Sequence, residues 1–286
     1  MFSANDNTSD DPNRENTWGG LPLARVLGGA KAFKDNGIKN LGDTYSGQIK
    51  FGNNVIKNAI IKDIPHRELV NEIIVAGLAE KLGLPVPQRA VAIAPRGSIF
   101  KKKIELHDGQ ALLFASVMVD ARSIGSIYST TLCAHKMGKF RKIINLLIKT
   151  SWVGDLYGFD AWVANVDRHM SNILFGNKFW LIDHGRCFGS DNWNVSNLVP
   201  DAEFTSRLSE WVTPHIDEKT QKGLAAKASK FASQLRALDL EAISSASNYG
   251  DLLETSEVSA LIKFLQDRVI SVPTEANKAL NQPGLI

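Results

Sequence analysis

Asn165-Val166-Asp167-Arg168-His169-Met170-Ser171-Asn172, followed by Ile182-Asp183-His184-Gly185, decides how this chain is read. The pattern is N-x-D-R-H-x-x-N, a short apolar segment, then D-x-G. It delivers two acids and an amide within a few residues of backbone, a set suited to holding Mg²⁺ and positioning a nucleophile for phosphoryl transfer. Ile173-Leu174-Phe175 and Phe179-Trp180-Leu181-Ile182 are apolar, β-prone runs with Gly176-Asn177-Lys178 between them, a hairpin signature. A two-residue turn at Gly176-Asn177 places Trp180 opposite Ile173 and Asp183 beside the segment preceding Asn172. The Asp183 carboxylate and the Asn172 amide then share one end of the hairpin, as hard oxygen ligands for Mg²⁺ completed by phosphates. Asp167, in the loop entering the hairpin, is placed to accept or orient the proton of an attacking hydroxyl. A surface hairpin with polar, solubilising ends is the plainer alternative; coincidence of the whole pattern with a hairpin and a D-x-G favours the site.

Composition sets the bounds. The chain has 286 residues, enough for one two-lobed domain or two small ones, and its hydrophobic content of 44% is ordinary for a globular protein. A net charge of +3 does not imply a nucleic-acid partner. The basic runs at 101–103 and 135–142 read as solvated faces, with phosphate contact as the alternative. Two cysteines, Cys133 and Cys187, lack metal-type spacing and fit a reducing compartment, so the expected location is cytoplasmic. Cys187, just after the D-x-G, reads as a buried structural thiol or a redox-sensitive one. Residues 1–17 are polar, lack the basic start and apolar core of a signal peptide, and read as a flexible tail. The longest apolar stretch, 111–119, is too short to span a bilayer, so no membrane insertion is expected.

Along the chain, strand signals dominate at first: 21–27, 44–51, 55–64, 89–94, 98–106 and 110–119. A helix at about 66–82 interrupts them, bounded by Pro65, Gly83, Pro85 and Pro87. The second part reads as helices at 141–149, 152–165, 203–211, 218–237, 240–245 and 256–270, with the hairpin between them. The expected fold is α+β: a flexible tail at 1–17, a small β-rich lobe with one helix at 18–120 that binds nucleotide, and a mostly helical lobe at 121–286 that carries the motif. The seam is a natural cleft.

On the β-rich side, Lys62 stands in an otherwise apolar strand and would neutralise the α/β-phosphates of ATP. Such a lysine needs a carboxylate to hold it. Glu68 and Glu72 are both candidates, four apart on one helix face; Glu72 is preferred because it lies nearer the helix middle. Ser46, Gly47 and Gln48 are candidates to cover the phosphates through backbone N–H groups, with a plain β-turn as the alternative. Residues 114–119, at the end of the last strand of this lobe and with Phe114, Ser116 and Val117 foremost, are candidates to present backbone to an adenine edge, with plain core as the alternative reading of their side chains.

These residues resemble the HipA-like branch of the protein-kinase-like fold. The matching marks are the apolar-Lys strand at Lys62, Asn71-Glu72 on a helix running into Leu82-Gly83-Leu84-Pro85-Val86-Pro87, the Asn165-x-Asp167-Arg168-His169-x-x-Asn172 segment and Trp180-Leu181-Ile182-Asp183-His184-Gly185. Ser46-Gly47-Gln48-Ile49-Lys50 is loosely similar to the family's phosphate loop, shortened by one residue. The resemblance covers roughly residues 44–188 and implies a phosphotransferase using ATP and Mg²⁺, usually on protein Ser or Thr. It implies Asp167 as catalytic acid/base, Asn172 and Asp183 as metal ligands, Lys62 as phosphate anchor and Glu72 as its partner. His169 would support the loop or touch the γ-phosphate, and Arg168 would buttress the loop.

Two departures matter. The chain is shorter than full HipA toxins, with no clear room for their extra N-terminal subdomain, so toxin activity and a DNA-binding antitoxin partner stay open as possibilities that the sequence does not support. The middle of the D-x-G is His184, so the packing switch of a D-F-G phenylalanine is not expected. A lipid or small-molecule kinase is an alternative, because phosphatidylinositol kinases also use D-R-H-x-x-N; a nucleotide-binding pseudokinase scaffold is another. The expected partner is a protein substrate of unknown identity. The Ser/Thr-rich segment 123–131 reads as a mobile loop or an autophosphorylation site, and Ser46 is another possible target.

Overall fold

The computed structural model describes residues 17–33 and 43–282. The tail expected at 1–17 lies outside the described residues except for Thr17. The strands are β1 (Thr17–Trp18), β2 (Leu21–Val26), β3 (Lys31–Ala32), β4 (Asp43–Phe51), β5 (Ile56–Asp63), β6 (Arg89–Ala94) and β7 (Ala111–Val117), with helix α1 (His66–Lys81) between β5 and β6. They form one sheet in the order β1-β2-β6-β7-β5-β4-β3. Strand β2 pairs in parallel with β6 and antiparallel with β4, which closes β2, β6, β7, β5 and β4 into a five-stranded barrel. The sequence reading anticipated a β-rich part but not this closure.

Strand alternation explains the barrel and aims the site. Ala90, Ala92 and Ala94 of β6, and Leu113 and Ala115 of β7, face the barrel interior with Ile61 of β5 and Tyr45 and Ile49 of β4. A five-stranded barrel has little room, which suits its many alanines. The alternate residues Val91, Leu112 and Phe114 face outward and pack with Leu69, Val70, Ile73 and Ile74 of α1. Lys62 follows the inward Ile61 and pairs across the ladder with Phe114, so it shares the outer face turned toward α1.

One expected strand is absent. Residues 98–106 contribute only a bridge from Glu105 to Ala111. The buried Asp63 carboxylate takes the N–H groups of Lys102 and Lys103 at 2.8 and 2.9 Å, and Lys102 has φ 58°, outside the strand region.

The helical part opens with β8 (Ala121–Ser123) and continues through α2 (Ile124–Thr130), α3 (Cys133–Leu147), α4 (Val153–Trp162), β9 (Ile173–Gly176), β10 (Phe179–Leu181), α5 (Arg207–Trp211), α6 (Glu218–Arg236), α7 (Leu240–Ala246), α8 (Thr255–Arg268) and α9 (Val272–Ala279). Segment 123–131, where a mobile loop was one expectation, is largely the capped helix α2. Ser123 accepts the Ser126 N–H, and the Thr130 and Thr131 hydroxyls donate to carbonyls one turn back. Helix α4 is buried on nearly every side, between α6 and α9. Strands β8, β9 and β10 form a second sheet. Its hairpin pairs Phe179 with Phe175 and Trp180 with Leu174, not Ile173. The loop is three residues, 176–178, and shifts the register by one. Asp183 still lands beside the Asn172 end, because the Ile182 N–H donates to the Asn172 carbonyl at 3.1 Å.

Candidate active site

A cleft of about 660 Å³ runs between the barrel and the helical part. Lys62, Glu72, Phe114 and Ser116 line it from one side; Asp167, His169, Asn172, Asp183 and His184 line it from the other. The Lys62 ammonium donates to Glu72 Oε1 and, at 2.9 Å, to Asp183 Oδ1. Glu72 is buried and uses its second oxygen to accept the His184 N–H at 3.0 Å. One carboxylate on α1 thus ties the strand lysine to the backbone of the D-x-G. Burial alone would lower the Lys62 pKa, but the Asp183 and Glu72 charges outweigh it and hold the ammonium protonated. Burial would raise Asp183, and Lys62 outweighs it, so this carboxylate sits below the usual range.

Asp183 adopts φ 62°, a left-handed conformation in which aspartate is enriched but most side chains are rare. Two residues on, Gly185 packs against Glu68: a Cβ there would stand 2.6 Å from Glu68 Cγ, so any larger residue would push that side chain aside. Glu68 was the other candidate partner for Lys62. It lines the cleft, and its carboxyl is pushed up to about 7, first by burial and then by the neighbouring carboxylates against the pull of Lys62.

The loop preceding the hairpin is fixed from several directions. The Asp167 N–H donates to Asn165 Oδ1 at 3.0 Å, and the Asp167 carbonyl accepts from Asn172 Nδ2 and the His169 N–H, both at 2.7 Å. His169 Nδ1 accepts the Ser171 N–H at 3.2 Å, which leaves Nε2 as the protonated nitrogen, 3.9 Å from Asp167 Oδ2. Arg168 points away from the cleft. It is fully buried, pairs with Asp160 at 3.0 Å, and donates to the Ile182 carbonyl at 2.9 Å and to His184 Nδ1 at 3.2 Å. Arg168, grouped by its motif with the catalytic candidates Asp167 and His169, reaches no reacting group and braces the loop from behind. His184 takes the place of an aromatic. Burial, then the charges of Arg168, Arg89 and Lys62, hold its pKa well below the usual value, so the ring is neutral. Burial likewise drives the Cys187 thiol well up, which makes it an inert structural thiol.

Asn71, adjacent to Glu72, fastens the segment after the D-x-G. Its Nδ2 donates to the carbonyls of Gly185, Ser190 and Cys187 at 2.7, 3.1 and 3.2 Å, and its Oδ1 accepts from Trp193 Nε1 at 2.7 Å.

Several nucleotide-side candidates are displaced. Ser46 and Gln48 lie on the outer face of β4 but beyond the cleft, and Gly47 faces Ala30 and Ile61, 3.1 and 3.2 Å from where a Cβ would stand. Gly47 serves close strand packing; Thr44 and Phe33 are the cleft residues of this edge. Val117 also misses the cleft, because alternation turns it toward the barrel interior while Phe114 and Ser116 face outward. Met118 and Val119 line the cleft, as do Val86 and Pro87, which the sequence reading used only as helix-stop and family marks. Arg207 of α5, which no local motif marks, pairs with Asp167 Oδ1 at 2.7 Å.

The donor set fits a hard divalent cation completed by phosphate and water. Asn172 commits its nitrogen to Asp167 and keeps Oδ1 as an acceptor, and Asp183 uses Oδ1 for Lys62 and keeps Oδ2. Among the described residues no group of three His, Cys, Asp or Glu side chains forms a metal cage. No helix among them is long and apolar enough to cross a membrane.

A β-rich part, a helical part and a lysine–carboxylate bridge to a D-x-G across the seam define a kinase-like phosphotransferase. A model of the HipA-like kinases matches residues 55–239, and the chain belongs to that family. The crystal structure of the Helicobacter pylori proinflammatory kinase CtkA is similar at a TM-score of 0.48 and 13% identity, over 82% of this chain and 93% of that one. No curated protein matches the chain.

Proposed function

We propose that this HipA-like kinase transfers the γ-phosphoryl group of ATP, with Mg²⁺, to Ser or Thr hydroxyls of a protein. The reading takes the molecule as two lobes of a protein-kinase-like fold, divided near residue 120. It rests above all on Lys62, which meets Glu72 on its own side of the cleft and Asp183 on the opposite wall at once.

Adenine would enter the apolar slot lined by Val86, Phe114 and Leu181. The Val117 and Met118 N–H groups are already bonded to Gln88 and Asn58 carbonyls, which leaves the Met118 carbonyl and Val119 N–H for its edge. Lys62 would bind the phosphates, and Asn172 Oδ1 with Asp183 Oδ2 would hold the cation. When bound, Mg²⁺ neutralises charge on the transferring group. Asp167 would orient the acceptor hydroxyl and receive its proton as the new P–O bond forms and the bond to the ADP oxygen breaks. His169 would support the loop beside it. A cytoplasmic location fits the two free cysteines.

The test is incubation of the chain with γ-labelled ATP, Mg²⁺ and cell lysate, beside an Asp183→Ala control. Label on protein Ser or Thr that depends on Asp183 is expected. Mg·ATP binding without transfer to any protein would overturn the proposal in favour of a scaffold, and label confined to lipid or small molecules would overturn the choice of acceptor.

A further inference from the structure

Asp167 has a backbone with little freedom left: Asn165 holds its N–H, and Asn172 with the His169 N–H holds its carbonyl. What remains is the rotation of its carboxylate. That rotation decides which oxygen meets an acceptor hydroxyl, and one group outside the loop sets it. Arg207 Nη1 donates to Asp167 Oδ1 at 2.7 Å. Oδ2 stands 3.9 Å from His169 Nε2, beyond hydrogen-bond reach.

The helix that carries Arg207 is itself fixed to the loop. Trp211 of α5 donates its Nε1–H to the Arg168 carbonyl at 3.0 Å, and Leu208 and Trp211 are buried. The Trp211 ring also lies 6.5 Å from Phe140 of α3. Arg207 is 42% exposed and does not line the cleft, so it approaches Asp167 from outside the nucleotide side. Glu210, 3.7 Å from Arg207 Nε, steadies the guanidinium from the next turn.

We infer that Arg207 is a positioning residue for phosphoryl transfer: its guanidinium fixes the plane of the Asp167 carboxylate by holding Oδ1, and so presents Oδ2 to the incoming hydroxyl. The inference rests on the phosphotransferase reading above. The contact is a single charge-assisted N–H···O bond, so the task calls for a cation that reaches Oδ1 from α5.

The experiment compares wild type, Arg207→Ala and Arg207→Lys in the full chain, with γ-labelled MgATP and dephosphorylated casein as the acceptor probe. Turnover at saturating nucleotide, affinity for a fluorescent ATP analogue and Tm are read together. Arg207→Ala should lower turnover about a hundredfold, the scale of a misplaced reacting group, with analogue affinity within about twofold of wild type, since Arg207 lies off the cleft. Arg207→Lys should recover about tenfold of the loss, because an ammonium can restore a single charged bond to Oδ1 from a shorter reach. Should Arg207→Ala fail to fold, Arg207→Gln, which keeps a donor without the charge, takes its place. An active wild type with an unimpaired alanine variant overturns the role of Arg207 alone. So does a lysine variant no better than alanine, because packing and not the charged contact would then be at work. A wild type that transfers phosphate to neither casein, lysate protein nor itself overturns the protein-kinase reading, and this inference with it.

Discussion

Two cation–carboxylate clusters meet the D-x-G from opposite sides, and they serve different ends. Arg168 and Asp160 are sealed within the helical part; their contacts go to the Ile182 carbonyl, His184 and Asn165, all of them internal. Lys62, Glu72 and Asp183 span the seam, and Asp183 keeps 41% of its side chain exposed. Both clusters hold one strand end in place. The sealed one has every charge answered from within, so it can only support. The open one leaves oxygen atoms spare at the cleft. Unused bonding capacity beside a cavity, more than the presence of charge, separates a site from a scaffold.

The contrast can be broken most decisively at Asp183. Asp183→Ala should reduce phosphoryl transfer by roughly a thousandfold or more while the protein stays folded; retained turnover in a labelled-ATP assay would remove Asp183 from the open cluster. At the sealed cluster the expected damage is to stability. Arg168→Met leaves Asp160 buried without its cation and should cost about 3–5 kcal/mol, read as a lowered urea midpoint. A loss under about 1 kcal/mol would mean that the pair does not support the loop. Lys62→Met should weaken ATP binding by roughly ten- to a hundredfold with a smaller effect on folding; unchanged affinity in a titration would place the phosphates elsewhere.

The smallest effect concerns Glu68, at the edge of the open cluster. Its carboxyl is raised from 4.5 to about 7 in the folded protein, so between those values the folded state binds more protons than the unfolded one. Stability should therefore fall as pH rises from about 4.5 to about 7, by about 1–2 kcal/mol after allowing for solvent screening. Glu68→Gln should flatten that slope in melts at pH 5 and 7.5, and an identical slope in both proteins would contradict the shift.

What could be read in the sequence follows from chain distance. Asp167, Asn172 and Asp183 lie within one loop and hairpin, so spacing alone placed them at one end, even with the register read one residue off. Lys62 and Glu72 were reachable because a strand and the helix after it constrain each other. The choice of Glu72 over Glu68 matches the bridge observed. Ser46, Gly47 and Val117 do not line the cleft, for a different reason. Which face of a strand meets the cleft depends on barrel closure, and β2 closes on β4 and β6 from opposite ends of the sheet sequence. Arg207 was invisible because no local pattern links a lone arginine to an aspartate 40 positions earlier in the chain. Segment 98–106 failed because a side chain, Asp63, captured the backbone donors that a strand would have used.

The four hydrogen bonds at Asn71 carry a pharmacological consequence. Compounds that require an inverted D-x-G, with its middle side chain swung outward to open a deeper chamber, would have to break that amide's grip and expel a neutral imidazole wedged against Arg168. Inhibitors confined to the apolar slot lined by Val86, Phe114 and Leu181 face no such toll.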